Sequence, residues 1–184
     1  TRLVRRMNVE RPAWAPDGGT IAFVGSEASE GMQPHPFLHV KDLNGDTHKD
    51  RPHRITDDRI SPQVGSFLVS DGPPLLWANR RLVFVADSRA TSGIDSVTPS
   101  GNKLRAARSR KEAITGFSGT PDGSRFAVLS SSPKRPPEMF TLDRASDRAQ
   151  RRTHSSDDYI ASHPPGKIEQ FTVSRGGLDI DCWL

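Results

Sequence analysis

Pro12-Ala13-Trp14-Ala15-Pro16-Asp17-Gly18-Gly19-Thr20-Ile21-Ala22-Phe23 returns, at an offset of 105, as Phe117-Ser118-Gly119-Thr120-Pro121-Asp122-Gly123-Ser124-Arg125-Phe126-Ala127-Val128. Each copy reads as a turn followed by a strand. Proline presets φ at the second turn position, aspartate can close the turn with its own side chain, and glycine suits the last position. A degenerate copy lies between them: Leu76-Trp77-Ala78-Asn79-Arg80-Arg81-Leu82-Val83-Phe84-Val85. It keeps the tryptophan and the strand but shortens the turn, and without Pro-Asp-Gly its first hairpin is the least defined. Residues 20–24, 82–86 and 125–129 are apolar on both faces, which suits strands sandwiched between neighbouring sheets.

A second hairpin follows each first one. Phe37-Leu38-His39-Val40-Lys41-Asp42 runs into Leu43-Asn44-Gly45-Asp46, an Asn-Gly hairpin signal. Ile94-Asp95-Ser96-Val97 runs into Thr98-Pro99-Ser100-Gly101, and Met139-Phe140-Thr141-Leu142 into Asp143-Arg144-Ala145-Ser146. Arg54-Ile55-Thr56 and Ala113-Ile114-Thr115 close two units, and Arg152-Thr153 closes the third. Units at 8–56, 57–115 and 116–153 each hold about four short strands, the size of a β-propeller blade. Pro34 and Pro36 mark 27–36 as an insertion without regular structure, and 131–137 as a similar proline-rich connection. The expected fold class is all-β, a partial propeller of about three four-stranded blades. A sandwich built from the same hairpins is the alternative. Propellers close with about four to eight blades, and an open array leaves raw edge strands. The chain is therefore expected to be part of a longer one, and to be marginal or oligomeric by itself.

Composition agrees. Of 184 residues, 33% are hydrophobic and 26% charged, and 15 Gly with 15 Pro argue against helical bundles and coiled coils. The longest apolar run, 82–86, is too short to span a membrane. The N-terminus, Thr1-Arg2-Leu3-Val4-Arg5-Arg6, has no signal-peptide core and no initiating methionine. Net charge is +4, from 20 Arg and 6 Lys against 22 acidic residues, and neither half is a basic arm. The single cysteine, Cys182, excludes an internal disulfide and a multi-cysteine zinc site, and fits a reducing, cytoplasmic setting.

The pattern changes after 153. Residues 154–167 are polar, with Pro164-Pro165-Gly166 as a stop. Lys167-Ile168-Glu169-Gln170-Phe171-Thr172-Val173-Ser174 then turns at Arg175-Gly176-Gly177 into Leu178-Asp179-Ile180-Asp181-Cys182-Trp183-Leu184. This is an alternating hairpin, with Ile168, Phe171 and Val173 before the turn and Leu178, Ile180 and Cys182 after it. It has no evident continuation for Trp183 and Leu184.

The whole resembles the prolyl oligopeptidase family of serine peptidases, most closely its acylaminoacyl-peptidase and dipeptidyl-peptidase-like branch. That family's blades carry Trp-Ser-Pro-Asp-Gly phrases, which Trp14-Ala15-Pro16-Asp17-Gly18 and Gly119-Thr120-Pro121-Asp122-Gly123 look like. They often end in Arg-Gln-Leu-Thr, which Arg54-Ile55-Thr56 looks like. Its α/β-hydrolase domain opens with Glu-x-Phe-Thr, a turn, then Gly-Leu-x-Ile-x-x-Trp-Leu. Glu169-Gln170-Phe171-Thr172 and Gly177-Leu178-Asp179-Ile180-Asp181-Cys182-Trp183-Leu184 are similar to that opening. The resemblance implies that 168–184 start a hydrolase domain, and that the nucleophile falls beyond Leu184. It implies short peptide substrates, a propeller that gates them, and partners in the form of the remaining blades and hydrolase domain. No cofactor is implied. A TolB-type propeller, which binds protein partners without catalysis, is the alternative.

No catalytic residue is assigned within the chain. Gly116-Phe117-Ser118-Gly119-Thr120 fails the last position of Gly-x-Ser-x-Gly and reads as the start of an inner strand. His35 and His39 have metal-ligand spacing only on a helix, which the flanking prolines exclude. His48 and His53 read as loop residues, and His154 and His163 as linker residues. Asp57-Asp58 and Asp157-Asp158 read as turns after strands. Lys103, Arg105, Arg108, Arg110 and Lys111 form a basic run without interleaved aromatics, which favours a solvated outer strand over a nucleic-acid patch. Trp14 and Trp77 are expected to pack between blades.

Overall fold

A computed structural model describes residues 3–30, 35–44, 51–57, 61–62, 74–88, 91–145 and 148–184. Nearly all regular structure is antiparallel β. The first sheet is β1 (Met7–Trp14), β2 (Thr20–Glu27), β3 (Phe37–Asp42) and β4 (His53–Arg54), hydrogen-bonded in chain order. The second contains β5 (Ser61–Pro62) and β6 (Leu76–Ala78), both beside β7 (Arg81–Ser88), then β8 (Thr91–Val97) and the first part of β9 (Lys103–Gly119). The third takes the rest of β9, then β10 (Arg125–Ser132), β11 (Arg135–Asp143) and β12 (Arg148–Arg151). β9 pairs with β8 up to Glu112 and with β10 from Ala113 onward, ahead of the 115/116 division read from the sequence. Three up-and-down sheets joined this way are propeller blades, and the chain is a partial β-propeller.

The Pro-Asp-Gly copies repeat bond for bond. Ala15 N–H donates to Thr20 O at 2.8 Å and Gly18 N–H to Ala15 O at 2.9 Å. Thr120 and Gly123 repeat these bonds to Arg125 O and Thr120 O at 3.0 and 2.8 Å. Asp17 Oδ1 accepts from Gly19 N–H at 2.9 Å, as Asp122 Oδ1 does from Ser124 N–H at 3.0 Å. Gly18 and Gly123 have φ of 69° and 67°, where a side chain is strained. The degenerate middle copy turns in two residues, with Ala78 paired to Arg81 and positive φ at both Asn79 (46°) and Arg80 (59°). Two positive φ values give the turn whose twist matches a hairpin.

Side chains alternate along each strand, so the central sheet packs on both sides. Leu82, Phe84 and Ala86 meet Ala22, Val24, Leu38 and Val40 of the first sheet. Val83 and Val85 meet Phe117, Phe126, Val128 and Phe140 of the third. Trp77 is buried between the first two sheets and donates its indole N–H to Ala13 O at 3.1 Å. Asn79 N–H donates to Pro121 O at 3.0 Å, joining the second and third. Trp14 departs from expectation: it is 59% exposed, because among the described residues no sheet packs on its side of β2.

Two further readings are corrected. Pro136 and Pro137 lie inside β11, not in a connection. The register slips between Ser130↔Glu138 and Ser132↔Arg135, so both prolines occupy a bulge that asks for no ladder N–H. Asp157 and Asp158 open a helix, α1 (Asp157–Ser162), where acidic side chains favour the positive end. The tail forms β13 (Gln170–Arg175) and β14 (Leu178–Trp183), turning at Gly176 and Gly177. Pro34, Gly45, Asp46, His48, Asp58 and Ser146 fall outside the described residues. No helix among those described is long and apolar enough to cross a membrane.

Candidate functional site

The third sheet buries one face against the second and leaves the other open. The offset of 105 explains its chemistry. Ala127 and Leu129 correspond to Ala22 and Val24, which are fully buried in the first sheet, yet Leu129 is 47% exposed. Met139 beside it is 40% exposed. Along the same strands the surface becomes polar. Two adjoining depressions of about 390 and 380 Å³ share Arg125 and Thr141. Ser118, Thr120 and Ala127 line one, and Asp143, Arg148 and Gln150 line the other. Arg152 Nε donates to Thr141 Oγ1 at 2.8 Å, and its terminal nitrogen to Gln150 Oε1 at 2.6 Å. Asp122 marks one end of this surface. The Thr120 hydroxyl at 2.5 Å, followed by Ser124, holds its carboxyl well below the usual range, at about 2. Arginine donors, hydroxyls and a small apolar strip can recognise a polypeptide surface. They offer no nucleophile paired with a base.

Ser118 sits on this open face, at the end of β9 that pairs with Ala127. No histidine is hydrogen-bonded to it among the described residues. The histidines are scattered. His39 is stacked on Phe23, with ring centroids 5.4 Å apart, and its Nδ1 lies 3.1 Å from Phe37 O. Burial lowers its pKa. His35 meets Phe37 edge-on. His53 lies in β4 opposite Val40, not in a loop, and His163 stacks on Tyr159. Among the described residues no group of His, Cys, Asp or Glu has metal-binding geometry. The basic run lies on β9, where its backbone pairs with β8.

A second polar cluster, which sequence reading missed, sits where the chain leaves the third sheet. Glu138 is 1% exposed. It accepts from the Thr153 hydroxyl, from Ser156 N–H and Oγ at 3.0 and 2.8 Å, and from Arg151 at 3.2 Å. The Thr153 bond foremost, with Ser156 and Arg151, holds the carboxyl at about 2, against burial that pushes it up. Arg151 also donates to Asp157 at 2.5 Å, which lowers the pKa of that carboxyl; His154 Nδ1 lies 2.9 Å from Asp157 Oδ2. The only sequence signal was a lone glutamate in an otherwise apolar alternation.

The hairpin carries a third surface. Its register pairs Phe171 with Cys182, Val173 with Ile180 and Arg175 with Leu178, so one face is apolar. Phe171, Val173, Leu178 and Ile180 are 42–69% exposed. On the other face Ser174 and Thr172 donate to Asp179 and Asp181 at 2.6 and 3.2 Å.

No protein-family model matches the chain, and no curated protein matches its sequence. Solved structures do resemble it. An acylaminoacyl peptidase of Pyrococcus horikoshii superposes with a TM-score of 0.63 at 15% identity, over 91% of this chain and 23% of that one. A puromycin hydrolase gives 0.62 at 18% identity, over 95% and 25%. TolB from Acinetobacter baumannii gives 0.56 at 16% identity, over 95% and 40%. The chain spans less than half the length of each. At these identities the likeness establishes the fold.

Proposed function

We propose that this chain is the blade array next to the hydrolase domain of a prolyl-oligopeptidase-type serine peptidase, together with that domain's first hairpin. The observation that carries this reading is the amphipathic hairpin of β13 and β14, placed after the third blade with its apolar face bare. A lone two-stranded hairpin is marginal in water, and such a face is suited to packing under a larger domain. Its sequence, Glu169-Gln170-Phe171-Thr172 and Gly177-Leu178-Asp179-Ile180, supports the same assignment. The likeness to peptidase structures agrees with it. In this role the blades gate access of short peptides to a catalytic chamber and supply no nucleophile.

Reading the coding frame past Leu184 tests the proposal. A continuation carrying Gly-x-Ser-x-Gly and then Asp and His is expected. Its absence would favour the second reading, a TolB-type propeller that binds a protein partner, to which the TolB likeness gives weight. The 184-residue chain alone is expected to turn over no aminoacyl or acyl-aminoacyl chromogenic substrate. Turnover abolished by Ser118→Ala would overturn the assignment of the nucleophile to another part of the protein.

A further inference from the structure

The first and third sheets close with the same geometry and different chemistry. In each, a threonine beyond the outermost strand lends its hydroxyl to the ladder. Leu38 N–H donates to Thr56 Oγ1, and Met139 N–H to Thr153 Oγ1, both at 2.9 Å. The residue before each threonine returns a backbone bond: Ile55 N–H to Leu38 O at 2.8 Å, and Arg152 N–H to Met139 O at 2.7 Å. Two residues before each threonine stands an arginine, aimed at the residue preceding that ladder N–H. Arg54 lies over the Phe37 ring, 3.3 Å from its centroid. Arg151 donates to Glu138 at 3.2 Å.

Where the first sheet places an aromatic ring, the third therefore places a carboxylate. A ring could fill that space and attract the arginine. It could not accept from Ser156. A buried carboxylate is costly without a full set of donors. Apart from Arg151, Glu138's donors come from Thr153 and Ser156, in the segment leaving the sheet. Ser156 is the N-cap residue of α1, and Arg151 reaches past it to Asp157 in the first turn.

We propose that Glu138 is a latch that fastens residues 153–157 to the rim of the third sheet, fixing where α1 starts and the direction in which the chain leaves for β13. The latch does not depend on the peptidase proposal. Released, α1 and the hairpin would swing while the sheet stayed paired.

Hydrogen exchange on the full 184-residue chain tests this. The reporters are the amides of Ile160 in α1 and of His163 at its C-cap, bonded to Ser156 O and Tyr159 O at 2.9 and 2.8 Å. Two variants are compared. Glu138→Gln keeps the shape and removes the charge, and Glu138→Phe rebuilds the first sheet's ring–arginine pair. Both are expected to speed exchange at the α1 amides by about tenfold or more, because bonds to a charged acceptor are lost. Amides of β10 should stay within about twofold of the parent, since local opening leaves the sheet intact. Unchanged α1 exchange in both variants would overturn the latch. So would acceleration of β10 in step with α1, which would make Glu138 a part of the sheet alone. Should neither variant fold, Ser156→Ala decides, with faster exchange confined to α1 supporting the latch and unaltered exchange refuting it.

Discussion

Trp14 and Trp77 occupy corresponding positions in matching strands, β1 and β6, yet one is 59% exposed and the other 9%. The difference is a neighbour. Trp77 has the first sheet beside it and donates to Ala13 O at 3.1 Å. Trp77→Phe removes that bond and should lower unfolding stability by about 1 kcal/mol, the usual net worth of a hydrogen bond, or more if Ala13 O is left buried and unpaired. Trp14→Phe should stay within about 0.5 kcal/mol, as exposed substitutions do. Urea midpoints of the two variants check this. Glu138 makes a residue-scale prediction in pH. Its folded pKa of about 2 lies below its ordinary value of 4.5, so its contribution is full above about 4.5 and is lost as pH falls through about 2. The destabilisation caused by Glu138→Gln should therefore be largest near neutrality and shrink between about pH 5 and pH 2, seen in thermal midpoints across that range. A gap that widened on acidification would reverse the sign of the linkage.

At the scale of elements, the two Pro-Asp-Gly turns share a backbone and differ in surroundings. A Cβ added at Gly18 would meet nothing within 4 Å, whereas at Gly123 it would stand 3.1 Å from the Ala78 side chain. Gly18→Ala should cost about 1 kcal/mol of backbone strain, at the low end for a side chain forced into the left-handed region. Gly123→Ala should cost more, because it also presses on the second sheet. Equal losses in denaturant midpoint would remove the contact as a cause. These turns were legible in the sequence because Pro, Asp and Gly carry their conformation locally. The middle hairpin was legible as a shortened copy, though Asn79 and Arg80 gave no glycine to mark their positive φ. The strand containing Pro136 and Pro137 was not, since only the register slip opposite Ser131 excuses their missing N–H groups. Nor was α1, a six-residue helix with no buried residue, whose start is held by Glu138 from another element.

Across the whole molecule, the middle sheet is the keystone of both cores. Leu82 is fully buried against the first sheet, while Leu129, on the open face of the third, is 47% exposed. Leu82→Ala should destabilise by about 2–5 kcal/mol, the range for emptying a packed core. Leu129→Ala should cost under about 1 kcal/mol. Equilibrium unfolding of the two variants tests the asymmetry. Sequence patterning revealed that both strands were apolar on both faces. It could not reveal which face would find a neighbour, because that depends on a sheet distant in sequence. The open face with Arg125, Thr141 and Arg148 was hidden for the same reason.

The shared strand β9 also sets the units in which such an array could be shuffled. The repeat in the sheets changes at Glu112 and Ala113, in the middle of a continuous strand. Exposed turns lie on either side of it, at 99–100 and at 144–145. A genetic cassette cut at those turns would carry β9, β10 and β11 as one piece and leave β12 to the next. Every inserted cassette would then lend an outer strand to the blade before it and borrow one from the blade after it. An array of such cassettes could grow or shrink by whole units, with each seam sewn by a copy of β9, the strand that crosses it.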